Sequence, residues 1–284
     1  MTTSIFDTDR DNHWCPGCGN FSILAAMKQA FEAENLTPQD ILMVGGIGQA
    51  GKTPHYLACN MLHGLHGRAL PMATGAKLAN HHLNVVVSCG DGDCYGEGGN
   101  HFLAAIRRNP DITLLVHNNQ VYGLTKGQSS PTTALNMGTR LTPDGPNSTP
   151  LNPLALALTA GAGFVARSFS GSGEQLSGLI REAMNYRGFA MIDIFQPCVS
   201  FNKINTHGWY RERITNLNDT GHDPTDISQA LAVVMTDPEK QIPTGILYRK
   251  PGVVFQDRFA VLKEKALVDY PFAGDQINDI LSGI

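Results

Sequence analysis

The chain has 284 residues, a formal net charge of −4 and a sequence pI near 6.2. That length buries a large core and fits one α/β domain with extensions. The charge balance excludes a whole-chain basic footprint for nucleic acid or an anionic membrane, and no apolar run nears the ~20 residues that span a bilayer.

The opening stretch MTTSIFDTDRDNHW carries charges but no apolar segment, so no secretory signal is read and a cytoplasmic protein is expected. The six cysteines are then thiols or metal ligands rather than disulfides. Next comes WCPGCGN (14–20), a Cys-x-x-Cys in a Pro-Gly turn. Such a pair is half of a zinc site, a redox dithiol or part of an iron–sulfur ligand set. No second pair accompanies it for zinc, and His63, His81, His82 and His101 have no convincing partner set. Cys198, in QPCVSFN at the end of the last core strand, is the natural third thiolate.

Phe21, Leu24, Met27, Lys28 and Phe31 then recur at helical spacing, with Asn20 as the expected N-cap. Strands are expected at Ile41–Val44, Val85–Ser88, Ile112–His117 and Ala190–Phe195, and further helices after Asn100 and over 174–187. Strand–helix alternation with nearly all-apolar strands predicts a parallel sheet covered on both faces. Residues 125–153, rich in Thr, Pro, Gly, Ser and Asn, read as a long functional loop. The expected organisation is a core of 1–200 and a C-terminal extension of 201–284 that packs on the core and on a partner subunit. Within it, 225–235 looks helical and 245–250 like a short strand.

SCGDGDCYGEGGN (88–100) follows the apolar run Val85–Val87. Ligands of open α/β sheets bind at the carboxyl ends of strands, and glycine there lets backbone amides approach a phosphate. An aspartate beside such a phosphate suits Mg²⁺, which takes one or two protein oxygens plus phosphate oxygens. The following strand ends in Asn118 and Asn119, and an Asn carbonyl there completes a magnesium shell. Either GDG or NN alone is an ordinary turn. GDG, 25 residues, then NN in a strand–helix–strand context matches the thiamine-diphosphate signature.

The set WCPGCGN, GIG…K-x-PH, HGRALPMATGAKLAN, GDGD…GGNH, NNQVYGLTKGQSSPTT and QPCVSFN resembles the β subunit of 2-oxoacid:ferredoxin oxidoreductases, from about Trp14 to about Trp209. The resemblance implies a three-layer parallel-sheet thiamine-diphosphate-binding fold with an extended C-terminal tail. It implies thiamine diphosphate, Mg²⁺ and a 4Fe–4S cluster, with coenzyme A as co-substrate, and an α (or fused γ–α) subunit and ferredoxin as partners. The activity it implies is oxidative decarboxylation of a 2-oxoacid, reversible as reductive carboxylation.

Residue by residue, it implies that Asp91, Asn119 and the Val121 carbonyl hold Mg²⁺. The cofactor cradle is expected from Gly48, from His66, Gly67 and Arg68, from Gly90, Gly92, Asp93 and Cys94, and from Tyr122, Gly123, Leu124 and Thr125. The glutamate that activates the cofactor comes from the partner; Glu97 is read as a helix N-terminal residue. Cys15, Cys18 and Cys198 are three cluster ligands. The family places the fourth in GIGCS, but here the stretch is GIGQAGK, with Gln49 in that place. Cys59, ten residues on, is the expected substitute ahead of Cys89 and Cys94; a three-cysteine cluster or none are the alternatives.

Lys52 and Lys126 read as cations facing the substrate's side chain, with His55 beside them. Two lysines favour a second carboxylate, hence 2-oxoglutarate as substrate and succinyl-CoA as product; pyruvate or a broad 2-oxoacid range is the competing expectation. Readings of another class are a thiamine enzyme without redox metal and a non-catalytic iron–sulfur electron-transfer subunit.

Overall fold

The computed structural model describes residues 3–139 and 141–270. The end of the expected C-terminal extension, 271–284, lies outside them.

Ten strands and eight α-helices alternate along the described residues. The helices are α1 (Asn20–Ala33), α2 (Ala69–Ala79), α3 (Gly99–Arg108), α4 (Pro153–Thr159), α5 (Gly173–Met184), α6 (His207–Arg211), α7 (Ile227–Val234) and α8 (Ala260–Glu264). The strands are β1 (Ile41–Gly45), β2 (Asn60–His63), β3 (Asn84–Gly90), β4 (Ile112–Asn118), β5 (Val121–Tyr122), β6 (Gln128–Ser129), β7 (Phe164–Phe169), β8 (Phe189–Phe195), β9 (Ile214–Asn216) and β10 (Ile242–Arg249). Eight of the strands form one sheet in the order β2-β1-β3-β4-β8-β7-β10-β9, parallel except for the β7–β10 pairing.

The central strands read as unbroken apolar runs because both faces are covered. On one face α1 and α5 bring Ile23, Met27, Phe31, Leu176 and Ile180 onto Met43, Leu115 and Ile192. On the other, α2, α3, α4 and α7 pack Leu70, Phe102, Leu154 and Ala230 onto Val87, Leu114 and Met191. Each fully buried Phe or Ile contributes roughly 1.5–3 kcal/mol. The expected three-layer parallel sheet is therefore present.

The structure departs from the expected elements at Asn20 and in the segment 125–153. Asn20 does not cap α1: Gly19 is the cap residue, and Asn20 Oδ1 instead accepts a hydrogen bond from His117 Nδ1 at 2.7 Å. The segment 125–153 is not a featureless loop. Strands β5 and β6 form a small hairpin, and Asn152 caps α4 by accepting from Ala155 N at 3.1 Å, with Pro153 at the first helical position. The C-terminal extension packs on the core through its strands: β10 joins the main sheet against β7 and β9 pairs with β10. The expected helix and strand within it are α7 and β10.

Candidate active site

Three adjacent parallel strands end side by side: β1 at Gly45, β3 at Gly90 and β4 at Asn118. Their loops enclose a cavity. Its wall takes in Ile47, Gly48, Gln49 and Ala50 after β1, Gly90, Asp91, Gly92 and Asp93 after β3, and His117, Asn119 and residues 121–125 around β4 and β5, with His66 closing the side. The crevice stands where a parallel sheet binds its ligands, at the carboxyl ends of its strands.

After β3 the chain enters a tight π-helical turn, Gly92–Glu97. It aims Asp91 inward, where the residue is 1% exposed. Asp91 Oδ2 accepts from Ser130 Oγ at 2.5 Å and lies 2.7 Å from Thr132 Oγ1. Thr132 Oγ1 also lies 2.9 Å from Asn118 Oδ1, so its single proton has two acceptors in reach. Burial pushes the Asp91 carboxyl up to about 6, a tendency these hydroxyls offset only in part. Asn119 faces the same cavity, its Oδ1 accepting from Val121 N at 3.0 Å. Between them Gln120 adopts a left-handed φ of 62°, fixed by Thr133 Oγ1 donating to its carbonyl at 2.6 Å. A buried carboxylate with a raised affinity for protons, an amide oxygen and a nearby main-chain carbonyl form a hard-oxygen donor set, which suits Mg²⁺.

Asp93 does a different job. Its Oδ1 accepts from Ile47 N at 3.0 Å and Gly67 N at 2.8 Å, so it ties the β1 loop and the segment before α2 to the π-turn. Gly67 sits at φ +70°, and a Cβ there would lie 2.5–2.7 Å from the Glu97 and Gly98 backbone. Gly67→Ala is expected to destabilise the chain by about 2–4 kcal/mol, read as a lowered thermal midpoint, because backbone meets backbone and neither gives. His66 Nδ1 lies 3.0 Å from the Glu97 carboxylate, which also accepts from the Tyr122 hydroxyl at 3.1 Å. Glu97 thus stands just before α3, as expected, and holds two cavity-wall residues.

Three residues expected in the cradle are elsewhere. Arg68 is exposed at the start of α2, its Nη1 2.7 Å from His101 Nε2. Cys94 is in the core, its thiol against that of Cys89. Gly67 is not on the cavity wall; its N–H donates to Asp93 Oδ1. The sequence reading missed Ser130, Thr132, His117 and Asn20. The first two had a signal in the run of small hydroxyl residues after YGLTKGQ; the pairing of His117 with Asn20 had none.

A second cavity of about 490 Å³ opens beside the first and shares Ile47, Gly48 and Leu124 with it. Lys52 and His55 line it, as do Arg10, His13, His63 and the acidic Asp11. Burial, and then the neighbouring charges of His63, Arg10 and Lys52, hold the His55 imidazole below its ordinary value. Lys126 is exposed on the β5–β6 turn at φ +85°, a strained value for a residue with a side chain.

The cysteines divide by place in the fold. Cys15 and Cys18 precede α1 and Cys198 follows β8. The Cys18 thiol is raised to about 11 by burial and feels the charges of Cys198 and Cys15. Gln196 Nε2 donates to Cys18 Sγ at 3.2 Å and Ser200 Oγ to Cys15 Sγ at 3.3 Å. Cys59 is not with them: it immediately precedes β2, whose first residue Asn60 pairs with Leu42 near the start of β1. It therefore lies at the amino end of the parallel strands, and the expectation that it joins the other three is corrected. Among the described residues no three Cys, His, Asp or Glu side chains converge on a single-ion site. A 4Fe–4S cluster spans a wider cage, and for it the trio supplies three of the four thiolates it ordinarily takes.

The fold and the first cavity define a thiamine pyrophosphate-binding domain, and residues 46–194 match the family described as thiamine pyrophosphate enzyme, C-terminal TPP binding domain. Residues 198–264 match the family that describes the C-terminal part of the pyruvate ferredoxin oxidoreductase beta subunit. The chain belongs to the β subunits of the 2-oxoacid:ferredoxin oxidoreductases. It is 41% identical to 2-oxoacid:ferredoxin oxidoreductase 1, subunit beta, of Aeropyrum pernix, over 94% of this chain and 87% of that one. It is 37% identical to the 2-oxoglutarate synthase subunit KorB of Archaeoglobus fulgidus, over 84% and 91%. A solved 2-oxoglutarate:ferredoxin oxidoreductase from Magnetococcus marinus, with 2-oxoglutarate, coenzyme A and succinyl-CoA bound, superimposes with a TM-score of 0.89 at 34% identity, covering 97% of this chain and 94% of that one. No helix among the described residues is long and apolar enough to cross a membrane.

Proposed function

We propose that this β subunit, with an α or fused γ–α partner, decarboxylates 2-oxoglutarate oxidatively to succinyl-CoA and CO₂ and passes the electrons singly to ferredoxin, the reverse carboxylation using the same site. The observation that carries the choice of substrate is the cavity against the cofactor cavity, with the cations Lys52 and Arg10, the imidazoles of His55 and His63 and the single carboxylate of Asp11 on its wall. A second carboxylate entering there meets charge-assisted donors, whereas a methyl group leaves those cations unanswered. Burial and neighbouring charges hold the His55 pKa below its ordinary value, and a bound carboxylate would raise it. The relatives named for 2-oxoacids in general favour the competing reading, a broad substrate range.

Asp91, Asn119 and the Val121 carbonyl would hold Mg²⁺ on the diphosphate, and the glycines at 48, 90, 92 and 123 leave the main chain open to it. Thiamine diphosphate, when bound, supplies a carbon nucleophile and an electron sink for loss of CO₂. The chain's own residues do the rest: Glu97 and Asp93 lock the cavity wall, Tyr122 and Leu124 cover it, and Lys52 and Lys126 orient the substrate's distal end. An iron–sulfur cluster at Cys15, Cys18 and Cys198 would supply the one-electron steps.

The experiment is 2-oxoacid-dependent ferredoxin reduction by the chain assembled with its α partner, comparing 2-oxoglutarate with pyruvate. A clear preference for 2-oxoglutarate supports the reading; equal rates support the broad-range enzyme. Lys126→Gly is expected to relieve the backbone strain, worth about 1 kcal/mol of stability, while lowering kcat/KM for 2-oxoglutarate. Thermal unfolding and steady-state kinetics on one preparation check both signs.

A further inference from the structure

The six cysteines of this chain do not add up to four at the edge of the sheet where a cluster would sit. Cys15, Cys18 and Cys198 are there. Cys59 is displaced from Cys198 in two directions. It stands at the amino end of four-residue β2, about 13 Å from the carboxyl edge, and four inter-strand spacings, or about 19 Å, separate β2 from β8. Cys89 and Cys94 pack in the core on the face opposite α1, whereas Cys18 packs on the α1 face.

Gln49 stands at the fourth-ligand place of the GIGCS pattern and borders the cysteine loop. Its carbonyl accepts from the indole Nε1 of Trp14, the residue before Cys15, at 2.9 Å. It also lines the cofactor cavity, so it stands between the cysteine loop and the cofactor. Its side-chain Oε1 is buried without a hydrogen-bond partner.

We propose that this chain would hold a cluster by three thiolates only, Gln49 supplying no fourth thiolate, so that one iron would be labile. The inference rests on the cluster assignment made above. A neutral amide oxygen, or a water in its place, binds a cluster iron far more weakly than a soft thiolate does. One-electron oxidation should then expel that iron. The resting 4Fe–4S dication gives one electron to ferricyanide, which becomes ferrocyanide, and one ferrous ion to solvent; a 3Fe–4S monocation with three ferric irons remains on the three thiolates.

The test uses the complex of the full chain with its partner, purified without oxygen and titrated with ferricyanide. The expected result is the near-isotropic EPR signal of a 3Fe–4S cluster, release of about one iron per chain, and reversal by ferrous ion with a reductant. Gln49→Cys should suppress both signal and release, and the difference from the parent isolates this cluster from any in the partner. Gln49→Ala, in case the cysteine variant fails to fold, should behave like the parent or lose iron faster. Cys59→Ser should match the parent. Loss of iron in Cys59→Ser, or a parent that releases none and gives no 3Fe–4S signal, overturns the proposal. Thiamine diphosphate released by denaturing the same sample separates the failures: cofactor without iron removes the cluster assignment alone, and neither removes the proposed function too.

Discussion

Asp91→Asn is expected to weaken Mg²⁺-dependent thiamine diphosphate binding by at least about a hundredfold, the upper end of what the loss of an outer partner costs, since the proposed role is that of a direct ligand. The same substitution should make the cofactor-free chain more stable. Both signs come from one buried carboxylate. Burial lifts its pKa from 3.8 to about 6, the hydroxyls of Ser130 and Thr132 offset this in part, and the charge of Asp193 adds to it. A carboxyl whose folded pKa exceeds its unfolded one binds protons more tightly when folded. Its contribution is fully present below the unfolded pKa and is lost as pH rises through the folded one. At neutral pH an ionised Asp91 with no cation therefore costs the folded chain roughly 3 kcal/mol, which a neutral amide avoids.

A pH series of thermal midpoints in chelator checks the linkage. The advantage of the Asn variant should grow between about pH 4 and 6 and level off above. A divalent cation reverses the balance, so in the parent, cofactor affinity should fall as pH drops below about 6, measured by equilibrium titration with Mg²⁺ present. An Asn variant that keeps parental affinity would remove Asp91 from the metal site.

Lys52→Met is expected to reduce kcat/KM for 2-oxoglutarate by roughly 10- to 100-fold, the loss of one charge-assisted hydrogen bond of about 1.5–3 kcal/mol. Pyruvate turnover should change far less, because pyruvate brings no distal carboxylate. Lys52 shares its cavity with Arg10, and this remaining cation sets the lower end of the range. Met keeps the length and apolar stem of Lys, so the cavity shape is conserved and the charge alone is removed. His55 also loses one of the neighbouring charges that hold its pKa down, and its pKa should rise. The alkaline limb of the 2-oxoglutarate pH profile should move upward with it. Equal losses for both substrates would assign Lys52 to a structural role.

The parts of the site legible in the sequence were those whose chemistry is local. A glycine-flanked aspartate at a strand end, an asparagine at the next strand end, and a Cys-x-x-Cys turn before a helix each carry their meaning within a few residues. The parallel sheet was legible for the same reason, because a strand covered on both faces is apolar along its whole length. The edge strand β2 went unread since its residues are exposed and carry no such pattern. Strand β7 and the short helix α4 went unread just after the turn-rich region, although Asn152 and Pro153 mark the helix start.

Only the tertiary structure decided which distant residues meet. Ser130 and Thr132 reach Asp91 because the β5–β6 hairpin folds back over the π-turn. Arg10 and His63 join Lys52 because the N-terminal segment crosses the carboxyl edge of the sheet. Cys59 looked close to the other cysteines by its ten-residue distance from Gln49, yet those ten residues are the 3-10 helical crossover Ala50–Tyr56, which returns the chain from the carboxyl end of β1 to the amino end of β2. The sequence by itself carried the signature of a metal-and-diphosphate site and of three clustered thiolates, since those depend on residue type at a strand or helix end. The order of strands, which no local pattern encodes, decided where Cys59 stands and which side chains share the Lys52 cavity.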